Sequence, residues 1–440
     1  MALLQQFAFA LMTGLSVWLF AGRVSAIRRN ILLGRDEDMG DRKAERFRNL
    51  LLQALGQRRM FRNPLAALLH LVIYAGFIII NVEVLEIVLD GLLGTHRLFA
   101  PLLGALYPWL IGVFEVLAAG VILVCLVFLA RRNLLSIGRF RSPDLDGWPR
   151  RDANIILVAE VVLMGLFLTM NASDTLLQVR GHAHYAAHPT GDLPVSALLH
   201  PLLAGLSDGS LVAVERACWW LHIAGILAFL NYLPRSKHLH ILLAFPNAWY
   251  VRLSPAGRMT NMPDVQREVG YALDPMLAAA APPTDATPQR FGARDVTDLS
   301  WKNLMDAYSC TECGRCTAAC PASQTGKKLS PRRIMMATRD RLEEVGIGID
   351  KTGGPVDDGR SLLRDHISEE ELRACTTCNA CVTECPVGIS PLDIILQMRR
   401  YMVMEEGSAP QEWTMMFGNV ENSFAPWKIG GEERETWADG

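Results

Sequence analysis

Cysteine is scarce in the first 300 residues. Only Cys125 and Cys218 occur there, each alone in an apolar stretch, so this part has no disulfide framework. No nucleotide-binding fingerprint, nucleophile triad or nucleic-acid motif stands out, and nucleic acid is not an expected partner. Charge is also sparse, at 20% of 440 residues, and the net charge of −2 says little because the charges are unevenly placed. The N-terminus lacks a basic stretch ahead of its first apolar run. Its arginines follow that run, so it reads as a retained span and not as a cleaved signal peptide.

Apolar length is abundant. The chain is 50% hydrophobic with a mean hydropathy of +0.19, which suits a membrane part joined to a soluble part. Five segments, near 3–25, 64–89, 105–130, 153–177 and 212–243, are long enough for a hydrocarbon core that needs about 20 residues. Pro234 is expected to kink the last. The connection between the first two spans carries eleven Lys and Arg, and that between the third and fourth carries six. The other two hold one each, Arg97 and Arg180. The positive-inside rule then puts the N-terminus outside and everything after the fifth span in the cytoplasm. The basic loop 23–62 is expected to touch anionic lipid.

The expected division is a membrane bundle over 1–243, a juxtamembrane linker over 244–300, a compact domain over 301–400 and an extended docking tail over 401–440. The linker contains the low-complexity patch "MLAAAAPPTDATPQ".

The other eight cysteines form two runs, "CTECGRCTAACP" and "CTTCNACVTECP". Both read C-x2-C-x2-C-x3-C-P, the bacterial ferredoxin spacing in which the fourth cysteine ligates the other cluster. One 4Fe–4S cluster is therefore assigned to Cys310, Cys313, Cys316 and Cys385, and the other to Cys375, Cys378, Cys381 and Cys320. Paired zinc sites would want spaced CxxC pairs, a poorer match. Thiolate clusters imply a reducing compartment, the same side that the basic loops choose. The insertion 321–374 is expected to be helical, with a Ser-Pro start in "LSPRRIMMATRDRLEEV".

His70 lies early in the second span and His222 within the fifth, while His238 and His240 follow Pro234. Spans two and five run in opposite directions, so His70 shares a leaflet with His238 and His240. His70 and His240 together are the expected ligands of a b-type haem. If the fifth span stays helical, His222 and His240, 18 residues apart, share one face, and His238 points away by about 160°. His222 is a candidate for a second haem b, with a partner to come from His96, His182, His184, His188 or His200. Asn81, at the matching depth of the second span, is no haem ligand. Glu83, Glu86 and Glu115 are candidates for quinone or proton chemistry, with Asp90 and Glu160 nearby. Their plainer role is to pair with Arg97 or Arg216.

At these motifs the chain resembles a known family. "HLVIYAGF", "WWLHIAGILAFL" and "SKHLHILLAFPN" resemble the cytochrome b subunit of membrane heterodisulfide reductase and the nitrate reductase gamma subunit. "DLSWKNLMDAYSCTECGRCTAACPASQTGKKLSP" resembles the small iron–sulfur subunit of heterodisulfide reductase. The fused membrane Fe–S oxidoreductase group combines both. The nitrate reductase pattern has a second histidine in the second span, which is absent here. The resemblance implies a mainly α protein: a five-helix transmembrane haem-binding bundle followed by a cytoplasmic α-helical dicluster ferredoxin domain. It implies a bacterial inner-membrane electron-transfer subunit of a quinone-linked oxidoreductase, with two 4Fe–4S clusters, one or two b haems and quinone as substrate. Fused relatives continue into cysteine-rich CCG domains, so a separate CCG-type catalytic subunit is the expected partner near the tail. Two rival readings stay open: a haem-free membrane anchor for a ferredoxin domain, and an ion-translocating redox subunit.

Overall fold

A computed structural model describes residues 3–191, 193–255, 257–279, 290–355 and 357–438. Among the described residues there is no strand, only two isolated bridges. Five long helices are apolar enough to span a membrane: α1 (Leu3–Ile31), α2 (Pro64–Leu93), α3 (Leu106–Asn133), α4 (Trp148–Val179) and α5 (Asp208–Tyr232). Their ends follow from local chemistry. The Asn63 side chain accepts from Ala66 N, Pro64 opens α2, and Gly94 closes it at φ +72°. Ser207 caps α5 by accepting from Ser210 N.

Each helix packs on the next in sequence order, and α5 returns to α1, so the five close into a ring. Exposed leucines and tryptophans such as Leu11, Trp18, Trp109 and Leu123 clothe its outside. Its interior holds Phe114, Phe167 and Ile223, but also His222 and Glu115.

The fifth span ends earlier than expected, and Pro234 terminates it instead of kinking it. A 3-10 turn covers Leu233–Arg235, and Ser236 is extended at φ −120°, ψ 154°. A second 3-10 turn, Lys237–Leu239, leads into α6 (His240–Trp249). Asp152 of α4 staples the break, accepting from Ser236 Oγ at 2.6 Å and Lys237 N at 3.1 Å. Helical phase is lost at Ser236, so the shared face expected for His222 and His240 does not exist. The bundle boundary expected at 243 also falls inside α6.

The compact domain sits on the end of the ring that carries the basic loops. Its helices are α7 (Trp301–Ser309), α8 (Arg315–Ala319), α9 (Pro331–Thr352), α10 (Ala380–Glu384) and α11 (Pro391–Met404). The expected helix in the insertion is α9, with Ser330 as its cap and Pro331 in its first turn. α6 packs on α7, and Ile27, Ile31 and Leu239 share a core with Leu304, Ile334 and Met398. Arg35 N donates to Leu299 O at 2.8 Å and Trp301 N to Arg35 O at 3.0 Å. A side chain at Gly34 would meet Trp301 N at 2.5 Å, so that crossing needs glycine.

The basic loop meets protein as well as any lipid: Arg23 pairs with Glu343, Arg29 with Asp350 and Arg62 with Glu384. Within the expected linker, Ala293 N donates to Gln397 O, a wrapping contact, while 280–289 of the low-complexity patch lie outside the described residues. The tail is not extended throughout, because residues 411–423 form α12 (Gln411–Ser423).

Arg332 and Asp144 form a two-bonded ion pair between α9 and the loop before α4, at 2.5 and 2.9 Å, with side chains 1% and 6% exposed. Arg332→Ala strands a buried carboxylate. A loss of about 3–5 kcal/mol is expected, read by thermal unfolding of the purified chain.

Candidate metal centres and membrane histidines

Among the described residues three histidines have Nδ1 fixed by an oxygen. His240 Nδ1 lies 2.9 Å from Lys237 O, and His222 Nδ1 lies 3.0 Å from Leu163 O. A carbonyl only accepts, so each Nδ1 carries the proton and Nε2 keeps its lone pair. His70 Nδ1 lies 3.1 Å from Gln57 Oε1 in the same manner. A locked Nδ1 with a free Nε2 is how a protein presents imidazole to a metal, so these donors fit a haem iron. His238 has no such lock. Its ring stacks on His240 at 5.6 Å and meets Phe229 edge-on at 5.4 Å. Burial pushes the His238 imidazole down to about 3, and charges on His240 or His70 would push it further, so the three rings lie within electrostatic reach.

His222 is different. Its Nε2 has no partner and faces Glu83 Oε2 at 3.8 Å, itself without a hydrogen bond, in a fully buried setting. Among the described residues none of the expected partner histidines contacts it. His200 Nε2 lies 2.9 Å from Thr175 Oγ1, and the His96 ring lies 4.9 Å from that of His184. Asn81 is exposed and donates back to Phe77 O.

The carboxylates divide by their donors. Glu86 accepts from Phe99 N at 2.8 Å and Tyr107 OH at 2.9 Å. Asp90 accepts from Arg97 N, Leu98 N and Thr95 Oγ1. Glu115 accepts from Val195 N, Ser196 N and Asn171 Nδ2, and from Ser196 Oγ. Asp90 and Glu115 are saturated and Glu86 has two donors, and each pins the connection between α2 and α3 or that between α4 and α5 at the ring's far end. Glu83 and Glu160 have no such donors, and both lie near His222. Arg97 does pair in the far end, but with Asp174 at 2.6 Å, and Arg216 pairs with its neighbour Glu215. Sequence reasoning missed Asp174 and Asn171. Their three-residue spacing, which puts both on one side of the fourth span, was the available signal.

The two cysteine loops have the same backbone. Residues two and four beyond the first cysteine have positive φ in both: Glu312 (52°) and Gly314 (72°), then Thr377 (57°) and Asn379 (62°). Such strain turns amides toward sulfur, and Thr377 N lies 3.4 Å from Cys375 Sγ. A short helix follows each loop, α8 and α10, and these two pack on each other. Cys310, Cys313, Cys316 and Cys385 line one cavity, with Cys381 also on its wall. Cys320, Cys375 and Cys378 gather around Cys381. Among the described residues no three His, Cys, Asp or Glu side chains converge on one ion position. Two loops of one shape, each carrying three thiols with a fourth supplied from the other motif, fit 4Fe–4S clusters better than tetrahedral zinc.

Residues 306–389 match the 4Fe-4S dicluster domain family. This part of the chain is a 4Fe–4S dicluster domain. Over 98% of its length the chain is 26% identical to the "probable iron-sulfur-binding oxidoreductase FadF" of Bacillus subtilis (strain 168), covering 60% of that protein. It is 27% identical, again over 98%, to the EtfAB:quinone oxidoreductase of Syntrophomonas wolfei, covering 58%. A shorter stretch, 32% of the chain, is 28% identical to one component of the dihydromethanophenazine:CoB–CoM heterodisulfide reductase of Methanosarcina acetivorans, covering 35% of it. The chain thus spans about three fifths of the length of the two relatives that it matches throughout. No solved structure matches it. Over nearly its whole length the chain is thus similar to iron–sulfur oxidoreductases, and it has five helices long and apolar enough to cross a membrane.

The dicluster domain is tied to the membrane histidines by buried charge. Lys237 Nζ pairs with Glu312 in the first cysteine loop, and Arg339 Nη1 reaches the same carboxylate at 2.8 Å. Burial alone would raise the Glu312 carboxyl, but Lys237 and Arg339 hold it below the ordinary range. Three further guanidiniums, Arg59, Arg139 and Arg315, each keep one buried nitrogen without a partner. Arg59 lies near Cys385 and Arg139 near Cys313. Cations so placed would offset the negative charge of thiolate-bound clusters.

Crossed ligation makes a specific prediction. Cys385→Ser should remove the centre of the first motif, and Cys320→Ser that of the second. Each should cut bound iron from about eight to about four atoms per chain, read by iron analysis and by electron paramagnetic resonance of the reduced protein. Loss of the centre of its own motif in either variant would refute the crossing.

Proposed function

We propose that the chain passes electrons between the quinone pool, a b-type haem held by His70 and His240, and two 4Fe–4S clusters. Cys310, Cys313, Cys316 and Cys385 hold the first cluster, and Cys375, Cys378, Cys381 and Cys320 the second. Haem and clusters supply the one-electron chemistry when bound. The chain's residues hold them, space them and compensate their charge.

The observation that carries this reading is the link between His240 and the first cysteine loop. His240 Nδ1 bonds the carbonyl of Lys237, and the Lys237 ammonium bonds Glu312, which stands between Cys310 and Cys313. One hydrogen-bonded path of three residues joins the imidazole to the cluster loop. Cys310 and Cys385 are buried, whereas Cys378 is exposed. The second cluster is therefore the exchange point with a soluble partner. A CCG-type catalytic subunit fits that role, with the tail as its dock: Trp413, Met415, Phe417, Val420, Phe424 and Trp427 are all exposed there. The basic loops share the dicluster end of the ring, which supports a cytoplasmic placement in a bacterial inner membrane. Quinone as the membrane substrate rests on the name of the Syntrophomonas relative.

A haem-free anchor leaves the locked His70 and His240 without a purpose. Ion translocation finds Glu115 saturated by donors and Glu86 holding two, which leaves Glu83 and Glu160 as its carboxylates. His222, with Nδ1 on Leu163 O and Nε2 free beside Glu83, is the candidate for a second haem b between the two ends of the ring.

The test is optical. Purified chain should show a reduced α-band, and His70→Ala and His240→Ala should abolish it while His238→Ala keeps it. An α-band absent from the wild-type chain refutes the haem. Loss in His238→Ala with retention in His240→Ala reverses the ligand assignment.

A further inference from the structure

The far end of the ring carries a second cavity, about 320 Å³, lined by Thr95, His96, Arg97, Leu98, Pro101, His184, Ala187 and His188. It lies on the connections between α2 and α3 and between α4 and α5, opposite the dicluster domain. Nothing in the electron path described so far uses it.

Its chemistry is selective. His96 Nε2 is buried without a hydrogen bond, and the imidazole side chain is 14% exposed. The His184 ring lies 4.9 Å away, tilted by 33°. Arg97 is a fixed wall, because its guanidinium is held by Asp174, Asn171 and Tyr107. Burial pushes His96 down to about 3 in spite of Asp174, so the ring is neutral and can either donate or accept. Leu98, Pro101 and Ala187 make the apolar share of the lining. Next to Pro101, Leu102 is 74% exposed.

We infer that this cavity binds the head group of a quinone or quinol, with His96 and His184 hydrogen-bonding its ring oxygens and the prenyl tail leaving past Leu102. The inference rests on the quinone-linked reading above and adds the place and the residues. A volume of this size suits one substituted benzo- or naphthoquinone ring. A metal does not fit, since no three ligating side chains converge on one ion position among the described residues and Asp174 is already held by Arg97. A neutral imidazole with a free nitrogen serves both redox forms: it donates to a quinone carbonyl and accepts from a quinol hydroxyl.

The probe is 2-heptyl-4-hydroxyquinoline N-oxide, whose fluorescence is quenched on binding, titrated against the full chain in detergent. His184→Leu removes one polar contact, and Pro101→Trp fills the cavity. Each should weaken binding by about tenfold or more while iron and acid-labile sulfide stay at wild-type levels. An azidoquinone photolabel on the wild-type chain should mark 95–101 or 184–188, which tests the site without any substitution. Tight binding unchanged in both variants, or labelling confined to the dicluster end, overturns the site and leaves the quinone reading intact. No binding by the wild-type chain overturns both.

Discussion

Lys237 leaves the end of the last span and enters protein, not water. Its ammonium meets Glu312 from the first cysteine loop and lies 3.9 Å from Asp152 of α4, while Arg339 closes the far side of Glu312. Two cations and two carboxylates, all largely buried, must be present together or each becomes a stranded charge. The requirement fixes where the dicluster domain stands on the bundle. It also holds the backbone break at Ser236, which sets both His238 and His240. A flexible tether could have joined the two parts, but it could not have kept an imidazole and a cluster loop at a constant separation.

The two ends of the ring solve different problems with similar residues. At the dicluster end, arginines from the basic loops face thiols and carboxylates of the soluble domain. At the far end, Glu86, Asp90 and Glu115 are consumed in pinning short connections, because backbone amides inside a bilayer need acceptors. Between the ends, Glu83 and His222 face one another with unsatisfied nitrogen and oxygen. A carboxylate saturated by three or four donors is stable and chemically quiet, whereas one facing an imidazole is not.

Legibility followed the range of the physics. The five spans were readable because apolar length is a local property. The cysteine spacing was readable because one tight loop supplies three thiols. The Ser330 cap and the helix after it were readable for the same reason. The shared face of His222 and His240 was misread, since helical phase survives only while the backbone stays helical and Ser236 is extended. The tail was misread as extended because α12 has weak periodicity and leaves its apolar residues exposed. The basic loop was read as lipid-facing because its acidic partners, Glu343, Asp350 and Glu384, lie some 320 residues away in sequence.

Composition and spacing alone determined that this is a helical membrane protein with a dicluster domain, because hydropathy and thiol spacing are written within short windows. Which carboxylates are quiet and which imidazoles have a locked Nδ1 were decided only by tertiary structure. Those properties belong to pairs of groups that meet only when the chain is folded.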